Sequence, residues 1–271
     1  MSEATSQASL QANASHQHTA AQLRDAYSGE PVPPLRNTLE PGDSDGAYAV
    51  QKINTDFWLG RDRVIAGRKI GLTSAAVQKQ LGVDQPDFGV LFKDMQVPNN
   101  GTVDPSRLIQ PKAEAEIAIV LGRDIENPDC SPQEFAAAAE CAIAAIEIVD
   151  SRVENWNITF ADTVADNGSS ALFVLGDEQH ALNELDLYSC GMVLEVDGGV
   201  ASVGAGAACL GHPFNAGAWL ARALIERGER LPAGSIVLTG ALGPMVTLCP
   251  GQDIRVQIGG LGACGFRFAA G

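Results

Sequence analysis

From about residue 85 onward the chain consists of short apolar runs separated by Gly, Pro, Asn and Asp, and this pattern limits the folds open to it. The runs expected as strands are 89–92, 113–121, 143–149, 171–175, 192–196, 236–239, 254–258 and 265–268. Asp197-Gly198, between Val196 and Val200, has the spelling of a hairpin turn. Two helices interrupt the strands. One starts at Ser131-Pro132-Gln133-Glu134, a capping box with proline in the first turn, and the other runs from His212-Pro213 to Arg227, where Gly228 stops it. Strands outnumber helices and do not alternate with them, which disfavours a doubly wound parallel sheet. The expectation is an α+β fold: a mainly antiparallel sheet or roll with flanking helices.

The first 80 or so residues read differently. Residues 1–16 are polar and read as a flexible tail. Helices are expected over 19–28, stopped by Gly29 and the prolines 31, 33 and 34, over 43–61, and over 74–81 with Ser74 as cap. Residues 64–71 alternate as a strand does. The expected division is a tail (1–16), a small helical N-terminal region (17–82) and a β-rich catalytic domain (83–271).

Charge excludes several classes of function. Lys plus Arg total 18 against 33 Asp plus Glu, a net −15 that repels phosphate backbones and anionic lipid, so neither nucleic acid nor a membrane surface is an expected partner. Six cysteines occur without a C-x-x-C pair, no run of 18 apolar residues occurs, and the first 21 residues lack the basic start and apolar stretch of a secretion signal. A cytoplasmic location is expected, with the thiols reduced.

The chemistry-bearing residues lie on the apolar runs. In Lys112-Ala113-Glu114-Ala115-Glu116-Ile117, strand periodicity places Glu114 and Glu116 on one face, which continues as Ala118 and Val120. Two carboxylates at the edge of a core repel each other unless a cation lies between them or one is protonated; a solvated acidic face is the alternative. Glu147 stands alone in another apolar run, Ala144–Val149, either as a third acid of the same site or as an edge residue facing water. Three carboxylates would select Mg²⁺ or Mn²⁺; zinc is disfavoured, because His180 and His212 have no cysteine at ligand spacing. Lys69 lies mid-strand between Gly67 and Gly71, residues that let another backbone or a ligand approach. It could stabilise an oxyanion or move a proton, or it could snorkel to the surface. Asp87, in Gln85-Pro86-Asp87, and the polar stretch Asp162–Ser170 read as turn and cap residues on composition alone. No serine-hydrolase elbow or phosphate loop is present.

These same stretches carry a resemblance. GRKIGLTS (67–74), LGVDQPDFGVLF (81–92), PKAEAEIAIVLGRD (111–124), EIVDSRVENWNITFADTVADNGSS (147–170), CLGHPFNAGAWLA (209–221) and LTGALGPMV (238–246) resemble the 2-keto-4-pentenoate (2-hydroxypenta-2,4-dienoate) hydratases of the fumarylacetoacetate hydrolase superfamily. The resemblance implies that superfamily's fold, a mixed, mainly antiparallel β-roll with flanking helices, and a divalent-metal lyase of aromatic meta-cleavage catabolism. Such an enzyme hydrates the dienoate to 4-hydroxy-2-oxopentanoate. It implies Glu114, Glu116 and Glu147 as metal ligands, Lys69, Asp87 and Ser169 as catalytic residues, and Leu72 and Thr239 as substrate-binding residues. The choice of Ser169 over Ser170 rests on an ungapped match. Hydrolase branches tend to carry a lysine shortly before the position of Asp162; Asn157–Ala161 has none, which favours the hydratase branch. Alternatives are 4-oxalocrotonate decarboxylase, or an idle homologue serving such a decarboxylase as a scaffold subunit. The resemblance also points to a homo-oligomer, with a pathway decarboxylase or aldolase as an associate.

Overall fold

Thirteen strands form two sheets, seen in a computed structural model that describes residues 3–74, 78–79 and 82–271. The larger sheet runs β2 (Asp87–Phe92), β1 (Ile65–Gly71), β10 (Ile236–Leu238), β5 (Lys112–Leu121), β6 (Ala139–Val149), β7 (Ser170–Leu175), β3 (Gln96–Val97), with β11 (Val246–Thr247) also paired to β5. The smaller sheet runs β4 (Gly101–Val103), β13 (Gly262–Phe268), β12 (Asp253–Ile258), β8 (Gly191–Val196), β9 (Gly199–Ala205). Most pairings are antiparallel; β1–β10, β3–β7 and β4–β13 are parallel. The architecture is the α+β roll expected from the sequence.

Side-chain alternation divides β5 between two environments. Ala115, Ile117 and Ile119 enter the main core with Ala144, Ile146 and Ile148 of β6 and Val256 and Ile258 of β12, so the two sheets pack face to face. The other face of the large sheet carries Glu114 and Glu116, and there Ala118 joins a second cluster with Ala145, Phe173 and Leu238. The N-terminal helices α1 (Glu3–Ala26) and α2 (Ser44–Leu59) form a third cluster with α4 (Phe160–Ala165), through Leu23, Val50 and Val164. The capping boxes are as spelled: the Ser131 hydroxyl accepts from Glu134 N–H, the Glu134 carboxylate accepts from Ser131 N–H, and α3 (Pro132–Ala138) follows. Helix α5 (Pro213–Glu226) packs Gly217 against the Phe135 ring of α3.

The N-terminal expectations need adjusting. Helix α1 extends back to Glu3 where a tail to residue 16 was expected, because no Gly or Pro precedes Gly29 and Ala, Gln and Ser tolerate helix. Strand β1 is bonded to β2 and β10, so a boundary at residue 82 runs through the large sheet. The helix expected over 74–81 falls largely outside the described residues.

Candidate metal centre and active site

Glu114 and Glu147 face each other directly across the β5–β6 ladder, and Glu116 is two residues further along the same face of β5. The three carboxylates each offer an oxygen within 4.8 Å of the others. Glu116 and Glu147 are fully buried, and Glu114 is half-buried. Glu116 accepts from Gly240 N–H at 2.8 Å through one oxygen; its other oxygen and both oxygens of Glu147 have no hydrogen-bond partner among the described residues. Orphaned carboxylate oxygens converging in a core are what a hard divalent cation satisfies, so the residues fit such a group. Without it, burial pushes Glu114 up to about 7, and burial with the Glu147 and Glu114 charges pushes Glu116 well above the ordinary range.

Lys69 is buried beside this triad, its Nζ 3.3 Å from Glu147 Oε2, so it does not snorkel. Strands β10 and β5 lie between β1 and β6, and an ion pair across them requires the sheet to curl about this face. Burial disfavours the Lys69 ammonium, but Glu147, Asp87, Glu114 and Glu116 outweigh it and hold its pKa above the ordinary lysine value. Asp87 sits opposite Gly71 across the β1–β2 pair, and a Cβ at Gly71 would overlap the Asp87 carboxylate. That glycine is therefore a space for an acid. Asp87 is buried, one of its oxygens is unpartnered among the described residues, and burial pushes its pKa up against the pull of Lys69.

A cavity of about 260 Å³ opens onto these groups, with Lys69, Asp87, Glu114 and Ser169 in its wall. Leu72, Ile158, Trp156 and Met245 line it with apolar surface. Of the two serines, Ser169 reaches this cavity and Ser170 does not. The Ser169 Oγ lies 3.3 Å from Thr163 Oγ1 and 3.4 Å from Asp166 Oδ2. Thr239 is not among the lining residues; its hydroxyl donates to the Ile117 carbonyl at 2.9 Å, securing β10 to β5. A larger cavity of about 600 Å³, bounded by Arg152, Asp166 and Ser170, holds none of the glutamates. Chemistry, not size, makes the smaller cavity the candidate site.

Among the wall residues that sequence reasoning missed are Lys112, Trp156 and Thr163. Lys112 shares the face of Glu114 and Glu116, and its ammonium lies 4.2 Å from the centre of the Trp156 ring; strand periodicity could have found it. Trp156 is anchored by Nε1 donating to the Gln110 carbonyl at 2.9 Å. Thr163 is placed by the capping of α4, which the sequence shows only as a polar stretch.

An acidic triad beside a buried lysine in a curled β-roll defines a fold with a site fit for a divalent cation. Comparison with known proteins narrows the class. The family model for the fumarylacetoacetate (FAA) hydrolase C-terminal region matches residues 68–269. The chain is 54% identical to 2-keto-4-pentenoate hydratase 2 of Dechloromonas aromatica (strain RCB) over 241 residues, 89% of this chain and 92% of that one. It is 43% identical to a 4-oxalocrotonate decarboxylase of Pseudomonas putida over 208 residues, 77% and 79% of the two chains. The solved structure of 4-oxalocrotonate decarboxylase from Pseudomonas putida G7, complexed with magnesium and adipate, superposes with a TM-score of 0.90 at 38% identity, covering 93% of this chain and 97% of that one. This chain belongs to the fumarylacetoacetate hydrolase family.

Proposed function

We propose that the protein is a metal-dependent hydratase that adds water to 2-hydroxypenta-2,4-dienoate (2-keto-4-pentenoate), giving 4-hydroxy-2-oxopentanoate in aromatic meta-cleavage catabolism. The observation that carries this reading is the cluster of Glu114, Glu116 and Glu147, with orphaned oxygens on Glu116 and Glu147, beside buried Lys69, in a chain 54% identical to a hydratase over 241 residues. Glu114, Glu116 and Glu147 would hold Mg²⁺ or Mn²⁺. When bound, that ion supplies a Lewis acid that draws electron density from the oxygens of a 2-oxo acid.

The chain's own residues handle protons and charge. Ketonisation removes the proton of the C2 hydroxyl and places one on C5, leaving an α,β-unsaturated 2-oxo acid. Water then attacks C4 and the electron pair moves onto the C2 oxygen. The Lys69 ammonium, kept charged by its acidic neighbours, stabilises that negative oxygen. Asp87, directly or through a water held with Ser169, takes the proton from the attacking water and returns one at C3. Its raised pKa suits both roles. Leu72, Ile158 and Met245 give the hydrocarbon end of the substrate an uncharged wall. Thr239 acts from behind the wall, through strand placement.

A second reading, 4-oxalocrotonate decarboxylase, draws on the TM-score of 0.90 to that enzyme. The higher identity to the hydratase and the apolar lining favour hydration. All six cysteines are unpaired thiols, which agrees with a cytoplasmic enzyme, and we read it as a homo-oligomer. No described helix is long and apolar enough to cross a membrane. The test offers Mg²⁺-loaded protein freshly generated 2-hydroxypenta-2,4-dienoate and, separately, 4-oxalocrotonate. Hydration of the first without CO₂ release from the second is expected; rapid CO₂ release with no hydration would overturn the reading. Inertness towards both would favour the scaffold alternative.

A further inference from the structure

The segment that brings Ser169 to the cavity is an unusual piece of backbone. Asn167, Gly168 and Ser169 have φ of 57°, 62° and 54°, three left-handed residues in succession, of which only glycine adopts that region freely. Something must hold the turn. From behind, the buried Arg152 donates to the Asp166 carboxylate at 2.6 Å, to its carbonyl at 2.7 Å and to the Ser170 carbonyl at 3.1 Å. From the side, the Asn167 amide makes a two-point clamp on β2: it accepts from Val90 N–H at 2.7 Å and donates to the Val90 carbonyl at 3.0 Å. The turn lies so close to β2 that a Cβ at Gly89 would overlap the Asn167 carbonyl. Strand β2 carries Asp87, three residues before Val90, and a Cβ at Gly168 would come within 3.0 Å of Lys69 Cε.

We propose that Asn167 is a positioning residue: its side-chain clamp on Val90 ties the left-handed turn to β2 and so fixes Ser169 relative to Asp87 and Lys69. It touches no substrate, and the wall of the cavity contains Gly168 and Ser169 but not Asn167. A side-chain amide suits the task because one group must both donate and accept, and asparagine tolerates a positive φ better than other residues with a side chain.

The inference rests on the proposed role of Ser169, and a double-mutant cycle separates the two. Asn167→Gly removes the clamp without adding φ strain; Asn167→Asp keeps the bond from Val90 N–H and loses the one to its carbonyl. With the dienoate as substrate, Asn167→Gly is expected to lower kcat about tenfold or more while KM stays within about threefold, and Asn167→Asp to fall between it and wild type. On a Ser169→Ala background, Asn167→Gly is expected to change kcat by less than about threefold, because a residue acting through Ser169 has nothing left to position. Mn²⁺ affinity, measured by calorimetry, should be unchanged in every variant, since the glutamates stand on β5 and β6. Full activity in Ser169→Ala would overturn the reading of the site itself. A normal loss in Ser169→Ala with additive loss in the double variant, or altered Mn²⁺ affinity, would overturn the positioning role alone.

Discussion

At the scale of single residues, the site is a cluster of charges whose burial is tolerable only together. Glu147 is fully buried and pairs with Lys69, which is itself buried. Among the described residues Glu116 makes no salt bridge; one of its oxygens accepts from the Gly240 N–H. A buried carboxylate among like charges is destabilising, whereas an amide of the same shape keeps the hydrogen bond and sheds the repulsion. Glu116→Gln therefore has effects of opposite sign in the two states of the protein. In chelator its melting temperature should equal or exceed that of wild type. In saturating Mg²⁺, wild type should gain about 2.7 kcal/mol at a ligand concentration about a hundred times Kd, and the variant should gain far less. Thermal melts with and without Mg²⁺ check both. Equal Mg²⁺ stabilisation in the two proteins would mean that the ligand set is wrong.

At the scale of elements, the candidate site is shaped by how closely strands approach. Gly67 and Gly71 flank Lys69 for different reasons: a Cβ at Gly67 would overlap the Ile236 backbone of β10, and one at Gly71 would overlap the Asp87 carboxylate. Gly71→Ala meets the far end of a side chain and not backbone, so the fold should survive while Asp87 is displaced. A loss of kcat on the order of 10²-fold with retained Mg²⁺ affinity is expected from steady-state kinetics and calorimetry. This also explains which parts of the site the sequence made legible. Period-two spacing put Glu114 and Glu116 on one face, and the apolar company of Glu147 marked it as out of place. The capping box of α3 and the hairpin at Asp197-Gly198 were local, and local chemistry determined them. The register that sets Glu147 opposite Glu114 is a long-range pairing that no spacing encodes. Asp87 and the Asp162–Ser170 stretch had the composition of ordinary turns, and only the curl of the sheet and the packing of α4 under α2 bring them to Lys69. Short strands such as β3 and β11 escaped because two residues carry no periodic signal.

At the scale of the whole molecule, the net charge is −15 with the site's own carboxylates included, so the field favours cations over anionic substrate until the triad is neutralised. The two packed sheets supply an extensive apolar core without the site, and chelation should leave the fold intact. Binding of cation and turnover of dienoate are thus separable from folding. The most direct measurement follows 4-hydroxy-2-oxopentanoate formation from freshly generated 2-hydroxypenta-2,4-dienoate, using protein stripped with EDTA, the same protein after Mg²⁺ is restored, and circular dichroism on both. Product that disappears on stripping and returns with Mg²⁺, with an unchanged far-ultraviolet spectrum, is the expected result. Full turnover by the stripped, folded protein would contradict a metal-dependent hydratase built on Glu114, Glu116 and Glu147.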